Sequence, residues 1–200
     1  MNEDHYFSAD PQAPFERTSI RARVWGHELS LATGSGVFAR GRVDIGTSVL
    51  FREAEPPGAG RILDLGCGYG VIGLAIAVAV PATQVTGVDI NERAVLLARE
   101  NAAALGVADR YAAFTSETAP ETTYDEIWSN PPIRIGKPAL HQLLLTWFAR
   151  LAPEGRAVMV VGKNLGADSL QRWLGEQGYP TRRLASAKGF RVLESRPAEA

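Results

Sequence analysis

One cysteine, three histidines and almost no net charge remove several common chemistries from a chain of 200 residues. The lone Cys67 cannot close an intrachain disulfide, and His5, His27 and His141 are too scattered for zinc-ligand spacing, so no metal is expected. Long apolar runs are missing too. The longest, "VIGLAIAVAV" (Val71–Val80), has about half the ~20 residues a membrane span needs and reads as a buried helix. The start, "MNEDHYFSADPQ", is acidic and polar and lacks the basic region and apolar core of an export signal, so the expected compartment is the cytoplasm. A net charge of −1 and a pI near 6.3 give no overall basic footprint. A nucleic-acid partner would have to be held by a local patch. Two stretches could supply one: Arg17, Arg21, Arg23, Arg40 and Arg42 early, and Arg182, Arg183, Lys188 and Arg191 late. The alternative is a solvated face balanced by nearby acids.

What is present is an ordinary globular composition, 46% hydrophobic and 22% charged, enough for one well-cored domain. "TSIRARVWGHELSL" (Thr18–Leu31) alternates polar and apolar residues around Gly26 and predicts a hairpin. After Pro56–Gly60 the character changes. "RILDLG", "TQVTGVD", "YDEIWSN" and "GRAVMVVG" are short β-rich runs, separated by helical stretches over Val71–Ala79, Asn91–Leu105, Lys137–Leu151 and Ala167–Gln177. Such alternation predicts a parallel sheet wrapped by helices on both faces. "YPTRRLASAKGFRVLES" adds two strands around a Lys188–Gly189 turn. The expected division is an N-terminal extension with hairpin and leading helix (1–55), a catalytic core (56–195) and a frayed tail (196–200).

In "RILDLGCGYGVIGLA" a strand runs through Gly66, Gly68 and Gly70 directly into a helix. Glycines there let the backbone turn tightly and let a ligand lie against it. A dinucleotide fingerprint would put a third glycine or alanine where Val71 stands, and Asp64 precedes the first glycine by two, which favours S-adenosylmethionine. Asp89, at the tip of the next strand in "GVDIN", is an acceptor-only group suited to both ribose hydroxyls. Asp64 is expected to face the methionine end of the ligand, directly or through water. Cys67, inside the loop, reads as a small residue packed behind the ligand rather than a reactive thiol.

"SNPPI" follows the strand Tyr124–Ser129 as the glycine corner follows its own, so the two corners should line one cleft beyond the sheet's carboxyl edge. Pro131 and Pro132 stiffen the corner, each restricting the residue before it. The Asn130 side-chain oxygen and the Pro131 carbonyl then form two fixed, free acceptors, a match for the two donors of a planar NH₂. Holding both hydrogens favours the pyramidal nitrogen whose lone pair can attack a methyl sulfonium, without metal or strong base. A rigid surface turn is the alternative for an isolated Asn-Pro-Pro.

"DLGCGYG", "VDIN" and "SNPPI", in that order, resemble class I S-adenosylmethionine-dependent methyltransferases. The upstream "GVFARGRVDIGTSVL" (Gly36–Leu50) looks like the segment preceding the cofactor loop in the small-subunit ribosomal RNA guanine-N2 methyltransferase group. The resemblance implies a seven-stranded, mostly parallel, doubly wound sheet with an antiparallel last strand. It implies that Thr47 touches the cofactor's methionine carboxylate, that Ile90 flanks the cofactor beside Asp89, and that Ser116, in the turn Thr115–Glu117, lies near adenine. Family members commonly carry an aromatic after Asn-Pro-Pro; here Ile133 and Arg134 stand at the expected substrate position. The implied activity is methylation of an exocyclic amino group, guanine N2 in ribosomal RNA, with RNA or the small ribosomal subunit as partner. Adenine N6, a protein glutamine and a small metabolite present the same NH₂, and a non-catalytic cofactor-binding assembly module is the reading from another class. Covalent methylation of a pyrimidine carbon needs a cysteine in the substrate pocket, which Cys67 does not provide.

Overall fold

A computed structural model describes residues 16–35 and 42–198; Arg40, the first 15 residues and the last two lie outside the described residues. Seven strands form the main sheet: β3 (Gly60–Leu65), β4 (Thr83–Asp89), β5 (Tyr111–Thr115), β6 (Tyr124–Ser129), β7 (Leu151–Gly162), β8 (Thr181–Ala187) and β9 (Phe190–Ser195). Their spatial order is β5-β4-β3-β6-β7-β9-β8. The first five run parallel, while β9 is antiparallel to both β7 and β8. This is the seven-stranded, mostly parallel sheet expected from the sequence, with an antiparallel last strand. The chain order reverses between β3 and β6, and at that switch point a crevice opens beyond the strand ends.

Helices α2 (Val71–Ala79), α3 (Glu92–Ala104), α4 (Lys137–Phe148) and α5 (Ala167–Glu176) connect the strands, and α1 (Ile45–Glu53) precedes them. The β-rich runs and helical stretches fall as expected, with two differences. Strand β5, "YAAFT", is missed by pattern because alanines replace the branched residues that mark a strand. Helix α4 stops at Phe148, and β7 begins at Leu151, paired with Tyr124 across a bulge. Core residues such as Leu63, Leu65, Ile127 and Met159 pack under α4 and α5, while Ile62, Trp128, Val158 and Val160 pack under α1 and α2. No described helix is long and apolar enough to cross a membrane.

The early alternation becomes a second, two-stranded sheet, β1 (Arg17–Val24) and β2 (His27–Gly34). Its turn residues Trp25 and Gly26 both have positive φ, 47° and 86°, the backbone that fits a tight hairpin to strand twist. Ile20, Val24, Leu29 and Leu31 bury one face of the hairpin in the same core as α2 and α3. Asn101 of α3 locks it there. Its side chain accepts from the Ala32 N–H at 2.7 Å and donates to the Ala32 and Tyr69 carbonyls, each at 2.9 Å. One satisfied buried amide thus ties the hairpin to the glycine loop.

Candidate active site

The loop between β3 and α2 turns on three glycines with φ of 72°, 54° and 92° at Gly66, Gly68 and Gly70, a region that side chains other than glycine's adopt at a cost. The amides of Gly66 and Cys67 both donate to the Val88 carbonyl, at 2.8 and 2.9 Å, which pins the loop to the end of β4. At that end Asp89 accepts from the Gly68 N–H through Oδ2 and from the Asn91 N–H through Oδ1, both at 2.9 Å. Its carboxylate is thereby held at the cavity wall, with Ile90, 45% exposed, beside it at the lip.

Beneath the loop lies a second acid. Asp64 is fully buried, accepts from the Gly73 N–H at 2.8 Å through Oδ2, and leaves Oδ1 without a partner. Burial pushes its carboxyl up to about 7, against the pull of the Gly73 amide, and the nearby Asp89 charge adds to the rise. Asp64 does not line the cavity; it supports the first turn of α2, whose N-cap, Gly70, has no side chain to do so. Gly70 likewise shapes the loop from outside the cavity. Burial, together with the charges of Asp64 and Asp89, also keeps Cys67 a thiol.

Asn130 leaves β6 on the other side of the crevice. Its Nδ2 donates to Asp44 Oδ2 at 2.9 Å and to Thr47 Oγ1 at 3.0 Å, which directs Oδ1 away from α1. Asp44 is itself fixed, because it caps α1: the same Oδ2 accepts from the Gly46 and Thr47 amides at 2.8 and 3.2 Å. The corner departs from expectation at Pro131. Its carbonyl accepts from the Ile133 N–H at 2.8 Å across Pro132, whose φ of −75° and ψ of 73° make an inverse γ-turn. The carbonyl is therefore fixed but not free; one lone pair is taken and one remains.

The two corners enclose one cavity of about 330 Å³, within the range of small-molecule sites. Gly66, Cys67, Gly68, Asp89, Ile90 and Ser116 line one part of it. Thr47 and the segment from Asn130 to Arg134 line the other. Asp44, Tyr69 and Phe190, to which the sequence reading assigns no role, are among the other lining residues. Asp44 is legible as an acid one residue before a helix; Tyr69 sits inside the glycine motif; Phe190, at the start of β9, has no local signal. Tyr69 is buried with its hydroxyl unpartnered, and burial plus the Asp44 charge keep that hydroxyl protonated. A buried donor without a partner, beside a cradle of positive-φ glycines, fits a ligand carrying its own acceptor.

The family model described as methyltransferase small domain matches residues 28–194. The chain belongs to this family. As a methyltransferase small domain protein it is 31% identical over 197 residues to the uncharacterized protein YbxB of Bacillus subtilis (strain 168), covering 96% of this chain and 98% of that one. It is 33% identical to ribosomal RNA small subunit methyltransferase C of Pseudomonas aeruginosa (strain LESB58), over 92% of this chain but 58% of the relative. The solved structure of the T. thermophilus 16S rRNA N2 G1207 methyltransferase in complex with AdoMet and guanosine superposes with a TM-score of 0.74 at 25% identity, over 94% of this chain and 52% of that one. The chain thus spans little more than half the length of these ribosomal RNA methyltransferases and nearly all of YbxB. The enzyme is a methyltransferase.

Proposed function

We propose that the enzyme methylates the exocyclic N2 amino group of a guanine in small-subunit ribosomal RNA. The methyl donor is S-adenosylmethionine, which supplies an electrophilic methyl group on a sulfonium. Asp89 and Ile90 would hold its ribose and adenine side together with Ser116, and the glycine loop would cradle it. Tyr69 and Thr47 offer hydroxyls to its carboxylate end. The observation that carries the reading is the locked amide of Asn130: with Nδ2 committed to Asp44 and Thr47, only the acceptor Oδ1 is left to meet a substrate.

An acceptor selects a donor. Asn130 Oδ1 and the remaining lone pair of the Pro131 carbonyl can take the two hydrogens of an NH₂ group and hold its nitrogen with the lone pair turned toward the methyl group. As the nitrogen took the methyl group and the sulfonium's S–CH₃ bond broke, leaving a neutral thioether, the nitrogen would gain positive charge. The two oxygens, oriented before the substrate arrives, stabilise that charge, and the surplus proton then leaves to water. Ile133 from the corner, with Leu165 and Phe190 from across the cavity, supplies apolar surface for a planar base. Phe190 offers the ring that family members carry after Asn-Pro-Pro. A ribosomal substrate agrees with the cytoplasm as the compartment.

Methyl transfer from labelled S-adenosylmethionine to total RNA, free small ribosomal subunits and protein extract, run in parallel, tests the reading. Label in the RNA of the small subunit is expected. Label confined to protein or to small molecules overturns it.

A further inference from the structure

A second concavity, of about 700 Å³, lies between the hairpin and the start of α1. Arg21, Arg23, Arg42 and Arg52 line it, over a floor that includes Trp25 and Phe51, and no carboxylate is among its described lining residues. The strand period explains the first two. Ile20 and Val24 of β1 turn into the core, so the odd positions Arg21 and Arg23 turn outward.

The early and late candidate sets differ in their ion pairing. Among the late candidates, Arg182 pairs with Glu194, and Arg183 and Arg191 share Asp168. Arg17, at the far end of β1, pairs with Glu100. In the groove only Arg52 is paired, with Glu53. Arg21, Arg23 and Arg42 have no acidic partner among the described residues; Glu28 stands opposite Arg23 in the hairpin without forming an ion pair. A balanced solvated face therefore describes Arg17, Arg182, Arg183 and Arg191, and not Arg21, Arg23 and Arg42.

The groove also touches the active site through one turn of chain. Val43 and Ser48 line the groove, while Asp44 and Thr47, between them in sequence, line the catalytic cavity and hold Asn130. We infer that this groove is the docking surface for the phosphate backbone of the RNA whose base enters the cavity, an inference that rests on the RNA reading above. Three unneutralised guanidinium groups favour a polyanion, and their planar forks match phosphate oxygens two at a time. The enzyme as a whole carries a charge of only −1, so the attraction is local and should be confined to this face.

The test is binding of a small-subunit ribosomal RNA transcript as a function of salt, for wild type, for Arg21→Ala/Arg23→Ala/Arg42→Ala, for the corresponding triple Lys variant, and for Arg172→Ala on α5 as a control. The triple Ala variant is expected to bind RNA at least tenfold more weakly. Its slope of log affinity against log salt should be shallower by about 2, because each single-strand phosphate left without its guanidinium removes about 0.7 from the slope. Affinity for S-adenosylmethionine should stay unchanged in all of them. The Lys variant should keep the slope, and Arg172→Ala should behave as wild type, which separates charge from damage to the fold. Wild-type affinity and slope in the triple Ala variant, with RNA still methylated, would overturn the groove and leave the RNA reading standing. Competition by polyglutamate as strong as by RNA would overturn it in favour of an acidic protein. A wild-type enzyme that neither binds nor methylates RNA would overturn both.

Discussion

Asn130 would be an unremarkable polar side chain without its neighbours, since an amide carries a donor end and an acceptor end that are free to exchange. Asp44 removes that freedom. The carboxylate takes the NH₂ end, and the cost of orienting the carboxylate is met by the two amides of the α1 N-terminus. Asn130→Ala is expected to bind S-adenosylmethionine normally and to lose methyl transfer by a factor of about 100 or more, the loss typical of one preorganised group. Asp89→Ala should do the reverse at the first step, losing cofactor affinity while the fold survives. Calorimetric titration beside single-turnover rates separates the two, and an Asn130→Ala rate within twofold of wild type would remove the amino-group mechanism. Asp44→Ala probes the orientation itself. It removes the oxygen that takes the NH₂ end of Asn130, so the rate should fall while KM for the cofactor holds, at a cost of about 1 kcal/mol in stability from the lost cap of α1.

Most of the elements around the site are legible in the sequence because their signals are local. Glycines before a helix, an acid at a strand tip and a proline pair after a strand each act within a few residues, and each corner stands where its spacing puts it. What stays illegible depends on contacts between distant segments. Phe190 reaches the cavity only because β9 returns antiparallel beside β7, and the Pro131 carbonyl loses a lone pair to a turn that sequence does not announce. Asp64 is the instructive case. Its position in the motif suggests a ligand contact, yet the side chain turns under the loop to cap α2. The folded protein holds its carboxyl at about 7 against an ordinary 3.8, so folding favours the protonated form. Its contribution to stability is fully present below about 3.8 and declines as pH rises to about 7. Asp64→Asn keeps an acceptor for Gly73 and cannot ionise. Thermal melts of the ligand-free enzyme should therefore show a midpoint that falls from about pH 4 to about pH 7 in wild type and much less in the variant; equal falls would mean that another group carries the dependence.

At the scale of the molecule, the acids and bases are distributed by task. On the sheet's antiparallel side, buried Glu194 gathers Arg156, Arg182 and Arg196, and their hydrogen bonds outweigh its burial and hold its carboxyl down to about 2. That network fastens β7, β8 and β9 and leaves those arginines committed to structure. Where the hairpin meets the start of α1, Arg21, Arg23 and Arg42 have no acidic partner among the described residues. A chain with almost no net charge can thus have one face for holding its sheet together and another for meeting a polyanion. All of this converges on a single chemical product, and digestion of the methylated small-subunit RNA to nucleosides, followed by mass and chromatographic comparison with standards, measures it directly. The account predicts N2-methylguanosine, absent when Asn130→Ala replaces wild type; N6-methyladenosine, a ribose-methylated nucleoside or no methylated nucleoside would contradict it.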